Sequence, residues 1–240
     1  MPKAIKRKAV KKQAVKKTEG TMLSEVREFA SKNRKTIAII TIAFLIAVFS
    51  VAGFLLWRKN VGGKASLLEY EGYKLYSNTR LKEPLSDSER YEKALSAFKK
   101  AYSLGESPYS LYYIGASYER SGKPDDAMKT FGELNKTFPD DAVFIPLAYY
   151  KMAMISLRQG KTDEALKYLD VIYKYKTDSY KDLALVESAR ILDSTGKSDE
   201  AKGKYETLKK DFPNSPYIRL AESKLGKKEA EGKTGGERKP

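Results

Sequence analysis

The 240-residue chain contains no cysteine and no histidine. Without thiols there are no disulfides, no thiolate nucleophiles and no lipid anchors on Cys. Without imidazole the commonest acid–base group is gone, and the two absences together remove every common zinc site. The missing cysteines say little about redox compartment, because a helical core of this size needs no disulfide. Charge is also missing in particular places. Residues 1–18 hold eight Lys or Arg and no acid, and the 22 residues from Thr36 to Trp57 hold no charge at all. The only Trp of the chain closes that second stretch.

What is present explains these gaps. As a helix, residues 36–57 would be about 33 Å long, enough for a hydrocarbon core of roughly 30 Å. Thirteen of the 22 are Ile, Leu, Val or Phe, which on the biological insertion scale favours entry into a bilayer by about 4–8 kcal/mol. A signal peptide would have a shorter apolar region and a small-residue cleavage site after it. Here the run ends Phe54-Leu-Leu-Trp57, and the only small cluster, Val51-Ala52-Gly53, lies inside it. An uncleaved transmembrane helix is therefore expected. Residues 1–35 carry twelve basic and three acidic groups, a net of +9 out of +15 for the chain. By the positive-inside rule the amino terminus is expected in the cytoplasm and the large domain across the membrane. The basic tail is predicted to be disordered up to residue 18 and attracted to anionic lipid headgroups, with no nucleic acid expected because no aromatics interleave its charges. Leu23, Val26, Phe29 and Ala30 mark a helical stripe running toward the span.

Beyond the span one phrase returns three times: Gly122-Lys-Pro-Asp-Asp-Ala127, Gly160-Lys-Thr-Asp-Glu-Ala165 and Gly196-Lys-Ser-Asp-Glu-Ala201. Spacings of 38 and 36 residues are those of a stacked helical repeat. Each phrase reads as a helix–turn–helix junction. Gly closes one helix in a left-handed conformation, Pro, Thr or Ser opens the next, and the acidic pair lies in the first turn against the helix dipole. The small Ala lies where two helices should touch.

Around the first phrase stand Leu111, Ile114, Gly115 and Tyr118, then Ala127, Phe131 and Pro139. This spacing resembles the tetratricopeptide repeat. A third unit carries Tyr149, Ala153, Ala165 and Leu169, with Thr177 where Pro is usual. A fourth carries Leu185, Ala189, Ala201, Tyr205, Leu208 and Pro213. A degenerate first unit carries Ala94, Phe98 and Ala101 after a polar loop around Pro84 to Ser88, and Pro216 to about Lys224 reads as a capping helix. The predicted fold is all-α: a transmembrane helix followed by a tetratricopeptide-repeat helical solenoid. The expected organisation is a basic cytoplasmic tail (1–35), the span (36–57), about four helix pairs plus a cap (58–226) and a disordered tail (227–240).

The resemblance also implies a binding face. In such solenoids particular positions of each unit's first helix line a groove. On this chain they are Tyr109, Tyr112, Ala116 and Glu119; then Leu147, Tyr150, Met154 and Leu157; then Leu183, Val186, Arg190 and Asp193. The candidate protein-binding set is Tyr109, Tyr112, Leu147, Tyr150, Met154, Val186 and Arg190. The Lys and Asn clamp of the family's chaperone-tail binders is missing. The layout of basic tail, span, Tyr-rich start (Glu69-Tyr-Glu-Gly-Tyr73) and Phe-Pro-Asp or Phe-Pro-Asn repeat ends resembles the single-pass ancillary subunits of the SecYEG translocon, grouped with the cell-division coordinator. This implies a bacterial inner-membrane protein with a periplasmic repeat domain, binding the translocon, chaperones or unfolded clients. The alternative is an assembly or division-coordination factor of the envelope. No catalytic constellation, cofactor or metal is expected. Gly160-Lys161-Thr162 and Gly196-Lys197-Ser198 imitate the end of a P-loop, but Ile155 and Ile191 stand where its first Gly is required. The acidic pairs recur with the repeat, as helix-start residues would and a catalytic pair would not.

Overall fold

The computed structural model describes residues 24–79 and 84–234. Most of the basic tail and the last six residues lie outside these ranges, as does Leu23. The chain has two compact units, Met1–Asn60 and Val61–Pro240. Among the described residues all regular structure is helical.

In the first unit, helix α1 covers residues 24–32 and α2 begins at Arg34. The junction keeps helical hydrogen bonding, since Asn33 N–H donates to Phe29 O at 3.0 Å and Ile37 N–H to Asn33 O at 2.9 Å. With no Pro to interrupt it, α2 continues to Ser77 without a break. The expected border at residue 57 is therefore not marked by a change in backbone. The apolar part of α2 is long enough to cross a membrane, and none of that window is buried.

The second unit contains the remainder of α2, then α3 (Asp87–Leu104), α4 (Pro108–Arg120), α5 (Pro124–Thr137), α6 (Phe144–Arg158), α7 (Thr162–Lys174), α8 (Lys181–Ser194), α9 (Ser198–Asp211) and α10 (Ile218–Thr234). From α3 onward each helix packs on the next, and α4 also touches α6. Two boundaries differ from expectation. Asp87 and Ser88 belong to α3, because Ser86 caps it in a reciprocal capping box with Glu89. The last helix extends ten residues beyond Lys224, to Thr234, so part of the segment expected to be disordered is helical; its Lys, Glu and Ala are good helix formers.

The repeated phrase has one backbone solution. Gly122, Gly160 and Gly196 have φ of 72°, 75° and 79°. In the first copy Gly122 N–H donates to Glu119 O and Lys123 N–H to Tyr118 O, the two bonds of a Schellman turn; the same pair forms at Gly160-Lys161 and Gly196-Lys197. The Lys then acts as N-cap of the following helix, its carbonyl accepting from Ala127, Ala165 or Ala201 N–H. One residue ends a helix and starts the next, which is why the two helices of a pair fold back so tightly. The acidic pairs sit in the first turns of α5, α7 and α9 without side-chain caps. Their contribution is to the dipole. Asp141 does cap, accepting from Val143 and Phe144 N–H at the start of α6.

Within each pair a small residue faces a large one. A Cβ at Gly115 would lie 2.7 Å from the Phe131 ring, and one at Gly72 would lie 3.0 Å from Phe98. Gly72 was not foreseen as a repeat position. The longer connection to α3 hides the 16-residue spacing that relates Gly115 to Phe131, Ala153 to Leu169 and Ala189 to Tyr205. Phe98, Phe131, Leu169 and Tyr205 are all fully covered. Gly115→Ala is therefore expected to cost about 1–3 kcal/mol as an overpacked site. Adding Phe131→Leu, which imitates the third unit, should recover part of the loss. Denaturant melts of both variants check this, and no recovery would mean that the ring is not what requires Gly.

Candidate functional site

The first helices of the second, third and fourth units are α4, α6 and α8, and the candidate set divides on them. Tyr112, 9% exposed, and Val186, 0% exposed, are core residues. Tyr112 packs against Phe131 and against Phe144 of the next unit, with ring centroids 5.8 and 5.4 Å away. Val186 belongs to the core cluster of α8 and α9. Neither is available to line a groove: Phe144 of the next unit covers Tyr112, and Val186 is enclosed among α8, α9 and Ala221 of α10. Tyr109, Leu147, Tyr150 and Met154 are half-buried, and Arg190 is exposed and ion-paired with Glu187 at 2.7 Å.

An aromatic network that single positions did not reveal surrounds Tyr113. Its ring lies 5.5 Å from Tyr73, 5.2 Å from Tyr76, 5.1 Å from Phe98 and 4.7 Å from Tyr109. These rings come from α2, α3 and α4, so the network ties the Tyr-rich start of the unit to the second repeat. The signal in the sequence was the i, i+4 pair Tyr109 and Tyr113.

Polar ties cross the same region. Glu69 accepts hydrogen bonds from the Ser107 and Ser110 hydroxyls at 2.6 and 2.7 Å. Arg90, only 5% exposed, donates to the carbonyls of Leu75 and Tyr76 and so caps the end of α2. The Glu119 carboxylate, 9% exposed, pairs with Lys151 at 3.0 Å and Arg158 at 2.5 Å, both on α6. This charge cluster joins the first helices of adjacent units. The spacing of 32 and 39 residues carries no signal readable from one sequence.

Burial pushes the Tyr76 phenol up to about 12 from its ordinary 10.0, with Glu119 reinforcing it. It also raises Tyr109, Tyr112 and Tyr113. A phenol whose folded pKa is raised stabilises the fold fully below its ordinary value, and the contribution is lost as pH rises past it. Alkaline unfolding is therefore expected above about pH 10, with tyrosinate absorbance and loss of helical circular dichroism rising together. Complete tyrosine ionisation with helicity intact would contradict the packed network.

No group of three or more metal-capable side chains is gathered among the described residues. Stacked antiparallel helix pairs, closed by one turn type and packed small-on-large, define a helical-repeat protein, a non-catalytic scaffold class that binds other proteins. The pattern of the tetratricopeptide repeat-like domain matches residues 27–230, and the chain belongs to that family. Compared by sequence with curated proteins, the chain matches none. Two crystal structures of nearly identical tetratricopeptide-like repeats from Podosopora anserina, described as those of a putative kinesin light chain, are similar in fold. Each is 12% identical with a TM-score of 0.50; 72% of this chain aligns with 88% of one and 89% of the other. Pseudomonas aeruginosa PilF is similar at 19% identity and a TM-score of 0.44 over 70% of this chain, and the chain spans 66% of that protein's length.

Proposed function

We propose that the protein is a single-span, membrane-anchored scaffold that binds protein segments on the outer side of a bacterial inner membrane, as an accessory to protein export. The observation that carries the binding reading is that Tyr109, Leu147, Tyr150 and Met154, on the first helices of the second and third units, are half-buried, while Arg190 on that of the fourth is exposed. Such side chains keep part of their apolar surface open for a partner while packing fixes their position. Tyr and Met adapt to varied sequences, which suits transient clients better than one fixed ligand. The anchor reading is supported by the unburied apolar length of α2 and by the +9 charge of residues 1–35. Those basic residues would lie against anionic headgroups on the cytoplasmic side. The export assignment rests on the resemblance to ancillary translocon subunits.

A Tyr150→Ala, Met154→Ala double variant is the test. It should keep its fold and its membrane retention and lose most cross-links to the translocon and to exported clients in intact membranes. Tyr112→Ala is unsuitable for this purpose, because it would open the core. Undiminished cross-linking by the double variant would put the binding surface elsewhere. Capture of one stoichiometric envelope partner would favour the assembly-factor alternative.

A further inference from the structure

We propose that a cleft at the ends of α4 and α6 binds a carboxylate carried by a protein segment docked on the solenoid. This rests on the protein-binding reading above and gives it a chemistry. The cleft encloses about 400 Å³, and its walls include Tyr91 of α3, Glu119 and Arg120 of α4, Pro124 at the start of α5 and Arg158 of α6. Four helices from three units thus contribute to one concavity.

Its acids are already engaged. Asp87, at the rim, pairs with Arg90 at 2.7 Å, and Glu119 is shared by Lys151 and Arg158. Arg120 is different. Its Nε donates to the Tyr91 hydroxyl at 2.8 Å and its guanidinium lies 5.1 Å from that ring's centroid. Tyr91 is only 4% exposed and is held from the other side by Arg90, whose Nη2 donates to the same oxygen at 3.0 Å. The Arg120 fork is therefore oriented by a buried phenol, while no carboxylate among the described residues pairs with it. Across the cleft Arg158 is oriented in the same manner by the largely covered Glu119. Two cations, Arg120 and Arg158, and two acids, Asp87 and Glu119, line the cleft. Both acids are also held by cations outside the lining, Arg90 and Lys151, which leaves the Arg120 fork open to a further anion. A pre-oriented guanidinium fork favours planar, bidentate anions, which among protein groups means a carboxylate. Asp125 and Asp126, in the first turn of α5, do not line the cleft.

The carboxylate can come from an Asp or Glu side chain or from a chain terminus, and three fluorescent peptides separate the sources. One is a terminally blocked alternating Leu–Glu decapeptide, the second its Leu–Gln counterpart, and the third the Leu–Gln peptide with a free carboxy terminus. Anisotropy titrations use the full chain in detergent micelles. The Leu–Glu peptide should bind about tenfold more tightly than the blocked Leu–Gln peptide, and a similar gain for the third peptide alone would assign the site to a terminus. Arg120→Gln should remove most of the gain and Arg120→Lys should restore only part of it, because charge returns without the fork. Melting curves check that both variants fold, and Arg158→Gln, also at an exposed position, gives an independent reading of the same loss. If all three peptides bind equally, the carboxylate site is wrong and the groove stands. If none binds, both the site and the groove reading fall. A preference for Glu that survives both Arg120→Gln and Arg158→Gln would place the recognition outside this cleft and overturn the proposal.

Discussion

Phe131→Ala should lower stability by about 3–5 kcal/mol, the cost of emptying a fully buried aromatic site. Phe131 is fully covered, its ring fills the space that Gly115 leaves open, and it also packs on Tyr112. Gly115 cannot follow the missing ring inward, since it has no side chain to move, and Tyr112 is held on its other side by Phe144. The cavity should therefore persist. Solenoid units are stabilised chiefly by their neighbours, so the loss should not stay local. For a domain of this size it corresponds to a fall in melting temperature of roughly 6–20 °C. Amide exchange should quicken in the first and third units as well as the second. A change below about 1 kcal/mol would mean that the ring is not enclosed between α4 and α5.

Replacing Ile42 and Ile46 together with Arg should abolish membrane retention. Each Arg near the centre of a span costs about 2.5–3.5 kcal/mol, and each lost Ile forfeits a few tenths more. The total, about 6–8 kcal/mol, matches or exceeds the roughly 4–8 kcal/mol that the apolar residues of the segment supply. Wild-type protein should resist alkaline carbonate extraction, and its repeat domain should be cut by protease added to spheroplasts. The double variant should appear in the soluble fraction, with the domain protected inside the cell. Wild-type protein that is protected in spheroplasts would reverse the proposed topology. A double variant that still resists carbonate would remove residues 36–57 as the anchor.

Local chemistry was readable from the chain because it is local. Gly122, Gly160 and Gly196 need a positive φ, the following Lys can serve as both exit and entry, and acids suit a first helical turn; each requirement is met within six residues. The uncharged run at 36–57 is legible for the same reason. The 16-residue offset from Gly115 to Phe131 became visible only once the structure showed their contact. Gly72 and Phe98 have the same relation, but the longer connection to α3 disrupts the offset.

The binding face was not readable in this way. Tyr112 and Tyr113 are adjacent in sequence and both aromatic, yet one helical step of about 100° puts them in different surroundings. Tyr112 meets Phe131 and Phe144, while Tyr113 becomes the centre of a ring cluster reaching back to Tyr73 and Tyr76. Which of them stays open depends on how far each unit rotates over the next. Glu119 gathers Lys151 and Arg158 across that same step, and Tyr91 orients Arg120 from 29 residues away. By itself the sequence determined the repeat, its turns and the apolar segment, because each is a matter of neighbours along the chain or of one period. Only the stacking of the units decided which tyrosines are covered and which guanidiniums are fixed around the cleft, because those contacts join residues that no periodicity relates.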